Sequence, residues 1–369
     1  MSEPTKESSG NGAEQSSAAT WRRRWGLLTP ATLRVRAREL GAADYLVRGL
    51  LPSRSIGLLV GDSGLGKSPL AYQLAICVAS GLPFLGRATR KGRVLIADFE
   101  NGVGDVHELI ERICRYLGLP EPPADDDLLI WTLNDCSPNY GHQKYTLPDM
   151  LREVRPALAI IDSLAGYKPQ AEEHNSDANR MLREFRDLMR EVGTATLLVH
   201  HRRKMPRRAD ESAGPLESAS LRQWLQDARG ASSLINGTDV RVGVDEPDTS
   251  AVQKDDVALV LRGLGRIRGE IGPSFLARDR DQSGDPAGYR LLVGPELLFN
   301  EEQEQAFAAL PAQFTFKQAK IAYKRSDQPT SNWLSRLRDL QLVQRTGRGA
   351  YEKICAGDAG DDGAPRGDS

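Results

Sequence analysis

The stretch Gly61-Asp62-Ser63-Gly64-Leu65-Gly66-Lys67-Ser68 decides the fold of this 369-residue chain. It follows the apolar run Ser55–Val60, which predicts a buried strand, and it opens the segment Lys67–Ser80, whose periodicity predicts a helix. Glycines at these positions let the backbone curl so that successive N–H groups face one centre. A strand, a loop of the pattern G-x-x-x-x-G-K-[ST] and a helix, in this order, predict a phosphate-binding loop.

The side chains of the loop predict a nucleotide and a metal. The Lys67 ammonium can neutralise β- and γ-phosphates, and the Ser68 hydroxyl can ligate Mg²⁺. The N-terminus of the following helix adds the positive end of its dipole. Pro69 falls in the first helical turn, where a missing N–H is tolerated. We therefore expect all eight residues, 61 to 68, to bind ATP with Mg²⁺.

Apolar runs alternate with helical segments after the loop. The predicted strands are Val94–Ala97, Leu128–Leu133, Ala157–Ile161 and Thr196–Val199, and the predicted helices lie near Val106–Leu117 and Asn179–Val192. This alternation predicts an α/β fold with a mostly parallel sheet and helices on both faces. We expect Asp239–Val244 and Val257–Arg262 to extend the sheet as antiparallel strands.

Two carboxylates and a histidine pair follow predicted strands. Asp162 ends the run Leu158–Asp162 and is placed to hold Mg²⁺ through water, although an Asp can also simply cap a turn. Glu100 could orient and deprotonate a water molecule, or be an ordinary surface residue. His200 and His201 should point to opposite faces of their strand, so one could sense a γ-phosphate while joint metal binding is disfavoured. A structural role is the alternative for the pair.

The ordered motifs GDSGLGKS, DFEN, LAIIDSL, LLVHHRRK and ARGASSL resemble the RecA-type ATPase core of hexameric RepA-like replicative DNA helicases, which is related to the DnaB and RadA cores. The resemblance covers about residues 44–292. It implies a catalytic Glu100, a Walker B residue Asp162, a γ-phosphate sensor at His200 or His201, and a phosphate contact by Arg112. Glu173-His174-Asn175 resembles the D-E-N run of the same proteins.

The family also uses a basic residue of one subunit to stabilise the γ-phosphate bound by its neighbour. The R-G-S-S motif reads Arg229-Gly230-Ala231-Ser232 here, and a basic pair precedes Gly272-Pro273. The candidates that the resemblance implies are Arg229, Arg241, Arg266 and Arg268. We favour Arg241 or Arg266.

A basic segment follows the predicted sensor strand directly. It consists of Arg202, Arg203, Lys204, Arg207 and Arg208. In RecA-like rings, loops at this end of the sheet face the central channel, so the resemblance implies contacts with the phosphates of single-stranded DNA. A solvated loop without a partner is the alternative.

The pattern changes after residue 300 to short helices, at Glu302–Ala309, Lys317–Tyr323 and Thr330–Leu340, followed by a hairpin containing glycine. This segment resembles a winged-helix domain. Arg336 and Arg338 on its third helix suit a duplex DNA groove, and protein binding is the alternative.

Composition limits the remaining choices. The 49 basic and 50 acidic residues give a net charge of −1, which excludes a uniformly basic, histone-like binder. No apolar run approaches about 18 residues, and the N-terminus lacks a signal-peptide pattern, so we expect a cytoplasmic protein without a membrane span. The expected organisation is a disordered tail (1–20), an N-terminal arm (21–43), a RecA-like ATPase domain (44–299), a winged-helix-like domain (300–354) and a disordered acidic tail (355–369).

The resemblance to RepA-like helicases therefore implies an ATP-dependent DNA helicase or translocase, with Mg²⁺, assembled from identical subunits into a hexameric ring. One alternative is a RecA/RadA-like recombination or repair ATPase. Another is a DNA-binding regulator that uses ATP as a switch.

Overall fold

The computed structural model describes residues 20, 22–39, 44–132, 146–202, 214–216, 219–226, 232–247, 257–266, 269–293, 301–340 and 342–354. The predicted tails lie outside these residues, except for Thr20. The chain divides into two compact units, residues 1–44 and 45–369. The first contains helix α1 (Pro30–Glu39), whose last turn is basic.

The described part of the second unit begins with a short antiparallel pair, β1 (Tyr45–Val47) and β2 (Leu51–Pro52). The strands that follow form a nine-stranded sheet. Its parallel strands are β3 (Ile56–Gly61), β4 (Val94–Asp98), β5 (Leu128–Thr132), β6 (Leu158–Asp162), β7 (Ala195–His201) and β8 (Val240–Asp245). Its antiparallel extension is β9 (Val257–Gly265), β10 (Gly269–Arg280) and β11 (Pro286–Leu291). The spatial order is β5-β4-β6-β7-β3-β8-β9-β10-β11. The predicted α/β fold with a mostly parallel sheet is confirmed.

The direction of one predicted strand was wrong. β8 pairs with β3 in parallel, with Gly57 opposite Val240, whereas β9 is antiparallel as expected. The chain between β7 and β8 is long enough for a crossover, and a parallel neighbour needs such a connection. β10 was not predicted, because Gly272-Pro273 interrupts its alternation; its register against β9 shifts between Ile271 and Ser274.

Helices cover both faces of the sheet and create two apolar cores. They are α2 (Lys67–Ser80), α3 (Val103–Tyr116), α4 (Leu147–Val154), α5 (Leu164–Tyr167), α6 (Gln170–Glu173), α7 (Asn175–Val192), α8 (Leu221–Gln226) and α9 (Ser232–Gly237). α2 has the predicted bounds and is buried around most of its circumference, while α7 begins four residues earlier than predicted. Leu70 and Ile113 belong to one core, and Phe185 and Trp224 to the other.

The C-terminal segment has a core of its own, which includes Phe307, Phe314, Trp333 and Leu337. Its elements are α10 (Glu301–Ala309), β12 (Gln313–Thr315), α11 (Phe316–Tyr323), α12 (Asp327–Asp339), β13 (Val343–Gly347) and β14 (Ala350–Lys353). β14 pairs with both other strands, and the unpredicted β12 makes the sheet three-stranded. None of the helices in the described ranges is long and apolar enough to cross a membrane.

The packing of α7 can be tested by Phe185→Ala. Phe185 is fully buried, so truncation should leave a cavity and lower the free energy of unfolding by about 3–5 kcal/mol. Arg183→Ala, on the exposed side of the same helix, should change it by less than about 0.5 kcal/mol. Urea unfolding measures both; equal effects would contradict the placement of α7.

Candidate nucleotide-binding site

The predicted phosphate-binding loop connects β3 to α2. Gly64 and Gly66 have φ angles of 82° and 93°, the left-handed region in which glycine is unstrained. A Cβ on Gly66 would lie 2.0 Å from the Tyr289 hydroxyl oxygen, and one on Gly61 would lie 2.5 Å from the Val244 carbonyl oxygen. The curl of the loop therefore requires glycine at both positions.

Lys67 lies buried at the centre of the site. Its Nζ donates to the Asp62 carbonyl at 2.7 Å and lies 3.4 Å from Nδ1 of His201. Burial lowers the pKa of Lys67, while the charges of Asp162, Glu100 and Asp62 oppose that shift. The ammonium is thus surrounded by carboxylates and placed to receive phosphate oxygens.

The parallel register brings the ends of several strands to one edge. Asp98 at the end of β4 lies opposite Asp162 at the end of β6, and Gly61 lies opposite His201. Ligands of open α/β sheets bind outside the carboxyl ends of the strands. The predicted residues at these ends consequently lie around the phosphate-binding loop.

Asp162 has the environment of a magnesium-binding residue. The Ser68 hydroxyl lies beside its carboxylate and favours the ionised form of Asp162. The Oδ2 atom of Asp162 is buried and accepts no hydrogen bond within the described residues. Burial, with the charges of Asp98 and Glu100, raises the pKa of Asp162 to about 6. A buried oxygen without a donor, beside a hydroxyl, fits the oxygen ligands that Mg²⁺ prefers.

Glu100 lies at the mouth of the site and is held by two side chains. Its Oε1 accepts from the Ser163 hydroxyl and lies 3.1 Å from Nε2 of His201. The His201 contact is the main reason that the pKa of Glu100 falls to about 2; Ser163 and Lys67 contribute, and together they outweigh burial. Glu100 is therefore a fixed carboxylate near Lys67, suited to orient a water molecule.

Asp98 supports Glu100, and sequence reasoning missed it. The fully buried carboxylate of Asp98 accepts from the backbone N–H groups of Glu100 (2.9 Å) and Asn101 (2.8 Å). It also accepts from the Tyr72 hydroxyl of α2 at 2.8 Å. These bonds turn the chain after β4 and aim Glu100 at the site. The sequence does contain a signal for Asp98, because Val94–Asp98 is an apolar run that ends in aspartate, like Leu158–Asp162.

The two histidines separate as their strand geometry predicts. His201 bridges Lys67 and Glu100: with its proton on Nε2, it donates to Glu100 and accepts from Lys67. His200 is fully buried, and its Nδ1 lies 3.0 Å from Oε1 of Glu172. Of the two, only His201 contacts Lys67 and Glu100, and a role as γ-phosphate sensor stays a prediction.

Residues far along the chain hold the loop from the other side. Arg278 of β10 donates to the Leu65 carbonyl at 2.9 Å, and the Tyr289 hydroxyl of β11 donates to the Gly66 carbonyl at 3.2 Å. Gln73 of α2 exchanges two 2.8 Å hydrogen bonds with the backbone of Tyr289. The antiparallel extension thereby fixes the loop, which the sequence did not predict.

Arg112 lies on α3 and lines a pocket of about 250 Å³ together with Ser68, Asn101 and Asp105. Its guanidinium contacts Glu108, and its Nε lies 3.8 Å from Oδ2 of Asp281. The shared pocket makes Arg112 accessible to a ligand of Ser68. Contact with a phosphate stays a prediction.

The structure does not bring Arg241 and Arg266 to the loop of their own chain. Arg241 pairs with Leu58, three residues before Gly61, which is roughly 10 Å back along β3. Arg241 and Arg266 line a pocket of about 500 Å³ with Arg222. Burial lowers the pKa of Arg241, and the neighbouring charges of Arg266 and Arg222 add to this shift. Arg229 and Arg268 lie outside the described residues.

The predicted DNA contacts are only partly described. Arg202 is turned inward: its guanidinium lies 4.5 Å from the centre of the Trp224 ring and 3.4 Å from Oδ2 of Asp245. Arg203, Lys204, Arg207 and Arg208 lie outside the described residues. On α12, Arg338 is exposed, but Arg336 is half-buried, and burial lowers its pKa.

Residues 28–207 match a protein family described as an AAA domain. Among solved structures, a KaiC-like protein from the archaeon Pyrococcus horikoshii shares 13% identity at a TM-score of 0.39, covering 68% of this chain and 97% of that protein. A RadB recombinase shares 14% identity at a TM-score of 0.40, covering 65% and 92%. The matched residues include the phosphate-binding loop at 61–68 and the strands that end at Asp98, Asp162 and His201.

The raised pKa of Asp162 predicts how the free energy of unfolding depends on pH when nucleotide and Mg²⁺ are absent. Since the folded-state pKa of about 6 exceeds the unfolded value of about 4, the ionised Asp162 destabilises the fold as pH rises through 6. Asp162→Asn should therefore raise the unfolding free energy above pH 6, by at most about 3 kcal/mol. The gain should vanish below pH about 4.

Urea unfolding in a chelator, at several pH values, measures this effect. The exposed Asp187→Asn is the control and should change the unfolding free energy by less than about 0.5 kcal/mol at each pH. A destabilised Asp162→Asn protein at pH 8 would contradict the electrostatic assignment.

Proposed function

We propose that this protein is an ATP-dependent DNA helicase or translocase of the RepA-like type that acts in DNA replication. ATP hydrolysis at the subunit interfaces of a hexameric ring drives movement along single-stranded DNA. The observation that carries the proposal is the Glu100–His201 contact. His201 is the last residue of β7, and the basic segment begins at the next residue.

The chemistry follows from the positions of the side chains. The loop amides and Lys67 bind the phosphates, and Glu100 orients a water molecule and takes its proton as the water attacks the γ-phosphorus. The bond from that phosphorus to the β–γ bridging oxygen then breaks, leaving ADP and phosphate. Mg²⁺, held by Ser68 and Asp162, would neutralise phosphate charge. Positioning and charge stabilisation are all that this reaction asks of the protein.

Coupling to DNA runs through the end of β7. The Glu100–His201 hydrogen bond depends on the orientation of the Glu100 side chain. Because Glu100 faces the γ-phosphate through a water molecule, loss of that phosphate changes this orientation and with it the hydrogen bond to His201. Arg202 transmits this change, because its backbone N–H donates to the Gly61 carbonyl (3.1 Å) and its side chain is fixed by Trp224 and Asp245. The four basic residues that follow contact the DNA phosphates.

A neighbouring subunit completes the site. Arg241 and Arg266 are too far from their own loop to serve it, and their pocket contains a third cation, Arg222. Three guanidinium groups in one open pocket favour an anion, and the γ-phosphate of the next subunit supplies one. Such a residue contributes about 10³-fold or more to the rate in other P-loop NTPases.

The C-terminal segment is a winged-helix domain in this proposal. Its order of elements, helix, strand, two helices and a two-stranded hairpin, supports the assignment. Leu340, after α12, packs against both the C-terminal core and the core beneath the sheet. This shared contact keeps the domain beside the motor.

The hydrolytic assignment is tested by Lys67→Ala and Glu100→Gln. Lys67→Ala should abolish ATP hydrolysis by removing the phosphate contact. Glu100→Gln should bind ATP normally and lose hydrolysis at least about 100-fold, the contribution of a positioned base. Phosphate release and fluorescent-nucleotide binding measure the two steps. Normal turnover in either variant would remove that residue from the mechanism.

Imaging Glu100→Gln with ATP and a single-stranded oligonucleotide separates the alternatives. Closed rings of six subunits, with strand displacement by the wild type, support the helicase. Filaments would favour the recombination ATPase. Monomers that displace no strand would favour the ATP-switched regulator.

The basic segment is tested by replacing Arg203, Lys204, Arg207 and Arg208 with Gln, while Arg202 is kept for its contacts with Asp245 and Trp224. We expect weaker binding of single-stranded DNA, a flatter salt dependence by up to about 3 units of slope, and unchanged basal ATP hydrolysis. Replacing the exposed Arg180, Arg183 and Arg190 of α7 provides the control. Unchanged DNA binding in the segment variant would exclude the segment from the motor.

A further inference from the structure

His200 and Glu172 form a buried pair behind the nucleotide site. The His200 side chain is 0% exposed, the Glu172 side chain is 6% exposed, and Nδ1 of His200 lies 3.0 Å from Oε1 of Glu172. The proposed hydrolysis reaction uses neither group. Burial of an imidazole and a carboxylate costs more free energy than burial of apolar side chains of similar volume, so stability alone is a poor explanation for the pair.

The pair lies at the end of β7, on the face opposite His201. Adjacent side chains of a strand point to opposite faces, so His200 and His201 lie on the two sides of the sheet. The ladder with β3 reaches the last residue of β7, where Gly61 lies opposite His201. The ladder with β6 ends three residues earlier, where Ile161 lies opposite Leu198. Among the described residues, the end of β7 is therefore paired with a strand on one side alone.

Glu172 supplies a further contact for this end of β7, from the segment that follows β6. That segment runs from Ser163 through α5 to α6, the helix of Glu172, and α5 packs against β7. Leu164 and Ala171 are fully buried, and α6 packs against α7, so the backbone of Glu172 is held in place. The Glu172 carboxylate therefore fixes the His200 side chain, and with it the peptide that carries His201.

The same segment also holds the carboxylate of Glu100. Ser163 is its first residue, and the Ser163 hydroxyl donates to Oε1 of Glu100. The same oxygen lies 3.1 Å from Nε2 of His201. The segment thus reaches Glu100 by two routes, directly through Ser163 and indirectly through the buried pair and His201. Loss of the contact between Glu172 and His200 removes the second route alone.

We propose that Glu172 and His200 are positioning residues for ATP hydrolysis. The pair holds the end of β7 so that His201 stays within hydrogen-bond reach of Glu100 and Lys67, and it contacts neither the nucleotide nor the attacking water. The inference deepens the proposed function and rests on it in one respect, the assignment of Glu100 as the base. The alternative is a purely structural pair, which would affect stability without acting through His201.

The central variant combines Glu172→Met with His200→Leu in the full-length protein. Apolar side chains of similar volume remove the polar contact, and such replacements of buried ion pairs are often neutral or stabilising. We expect kcat for ATP hydrolysis to fall about 10- to 100-fold, the cost of a misplaced group in the site. The KM for ATP, the affinity for a fluorescent ATP analogue and the free energy of unfolding should change little, because Lys67 and the phosphate-binding loop keep their positions.

A double-mutant cycle measures whether the pair acts through His201. In a His201→Ala background, the combined Glu172→Met and His200→Leu substitutions should lower kcat by less than about 2-fold further, because the residue that they position is absent. A purely structural pair would instead lower kcat by the same factor in both backgrounds.

Two single variants give the same information at smaller cost in stability, which urea unfolding measures. Glu172→Gln keeps the shape of the side chain but loses its charge, and an uncharged acceptor holds the imidazole more weakly. It should lower kcat less than the combined variant does, and only where His201 is present. His200→Asn places an amide N–H at the position of Nδ1 and should recover most of the lost rate. The matched control is Glu173→Gln, an exposed neighbour on α6, which should leave kcat unchanged.

The proposal is overturned if the combined variant, or Glu172→Gln where the combined variant does not fold, hydrolyses ATP with wild-type kcat. It is also overturned if the loss is equal with and without His201, or if His200→Asn loses as much as the combined variant. These results would leave Lys67 and Glu100 in place, because their own variants test hydrolysis directly. A protein whose pair variants behave as expected, but which displaces no strand, would contradict the helicase alone.

Discussion

The parallel register of β3, β7, β6 and β4 is the constraint on which the candidate site depends. It aligns Gly61 with His201 and Asp98 with Asp162, so the phosphate-binding loop and the side chains around it share one edge. Side chains alternate between the faces of a strand, and a slip of one residue would exchange His201 for His200. The contacts of His201 with Lys67 and Glu100 follow from that alignment.

At this edge of the sheet, the surroundings of two carboxylates shift their pKa values in opposite directions. Glu100 is stabilised as an anion by His201 and Ser163, and its pKa falls to about 2. Asp162 is buried with one oxygen that accepts no hydrogen bond from the described residues, and its pKa rises to about 6. A cation would restore the ionised form of Asp162, whereas Glu100 needs none. Separated pKa values of this kind are typical of groups with different chemical roles.

Parts of the chain distant in sequence hold the phosphate-binding loop and link the site to other elements of the fold. Arg278 and Tyr289 hold the carbonyls of Leu65 and Gly66, so the antiparallel strands restrict the loop as directly as its own glycines do. Arg202 links the strand of His201 to Trp224 and Asp245. The C-terminal domain has a separate core of its own.

The sequence by itself determined the parts that local patterns encode. The loop at residues 61–68, the bounds of α2, the buried strands and the positions of Asp162 and Glu100 follow from neighbouring residues, because turn chemistry and periodicity act over a few positions. Only the tertiary structure decided that β8 is parallel, that Asp98 aims Glu100, that His201 rather than His200 faces the loop, and that Arg202 points inward. Each of these depends on register and burial between segments tens to hundreds of residues apart, and the pattern of a single segment contains no information about its partner.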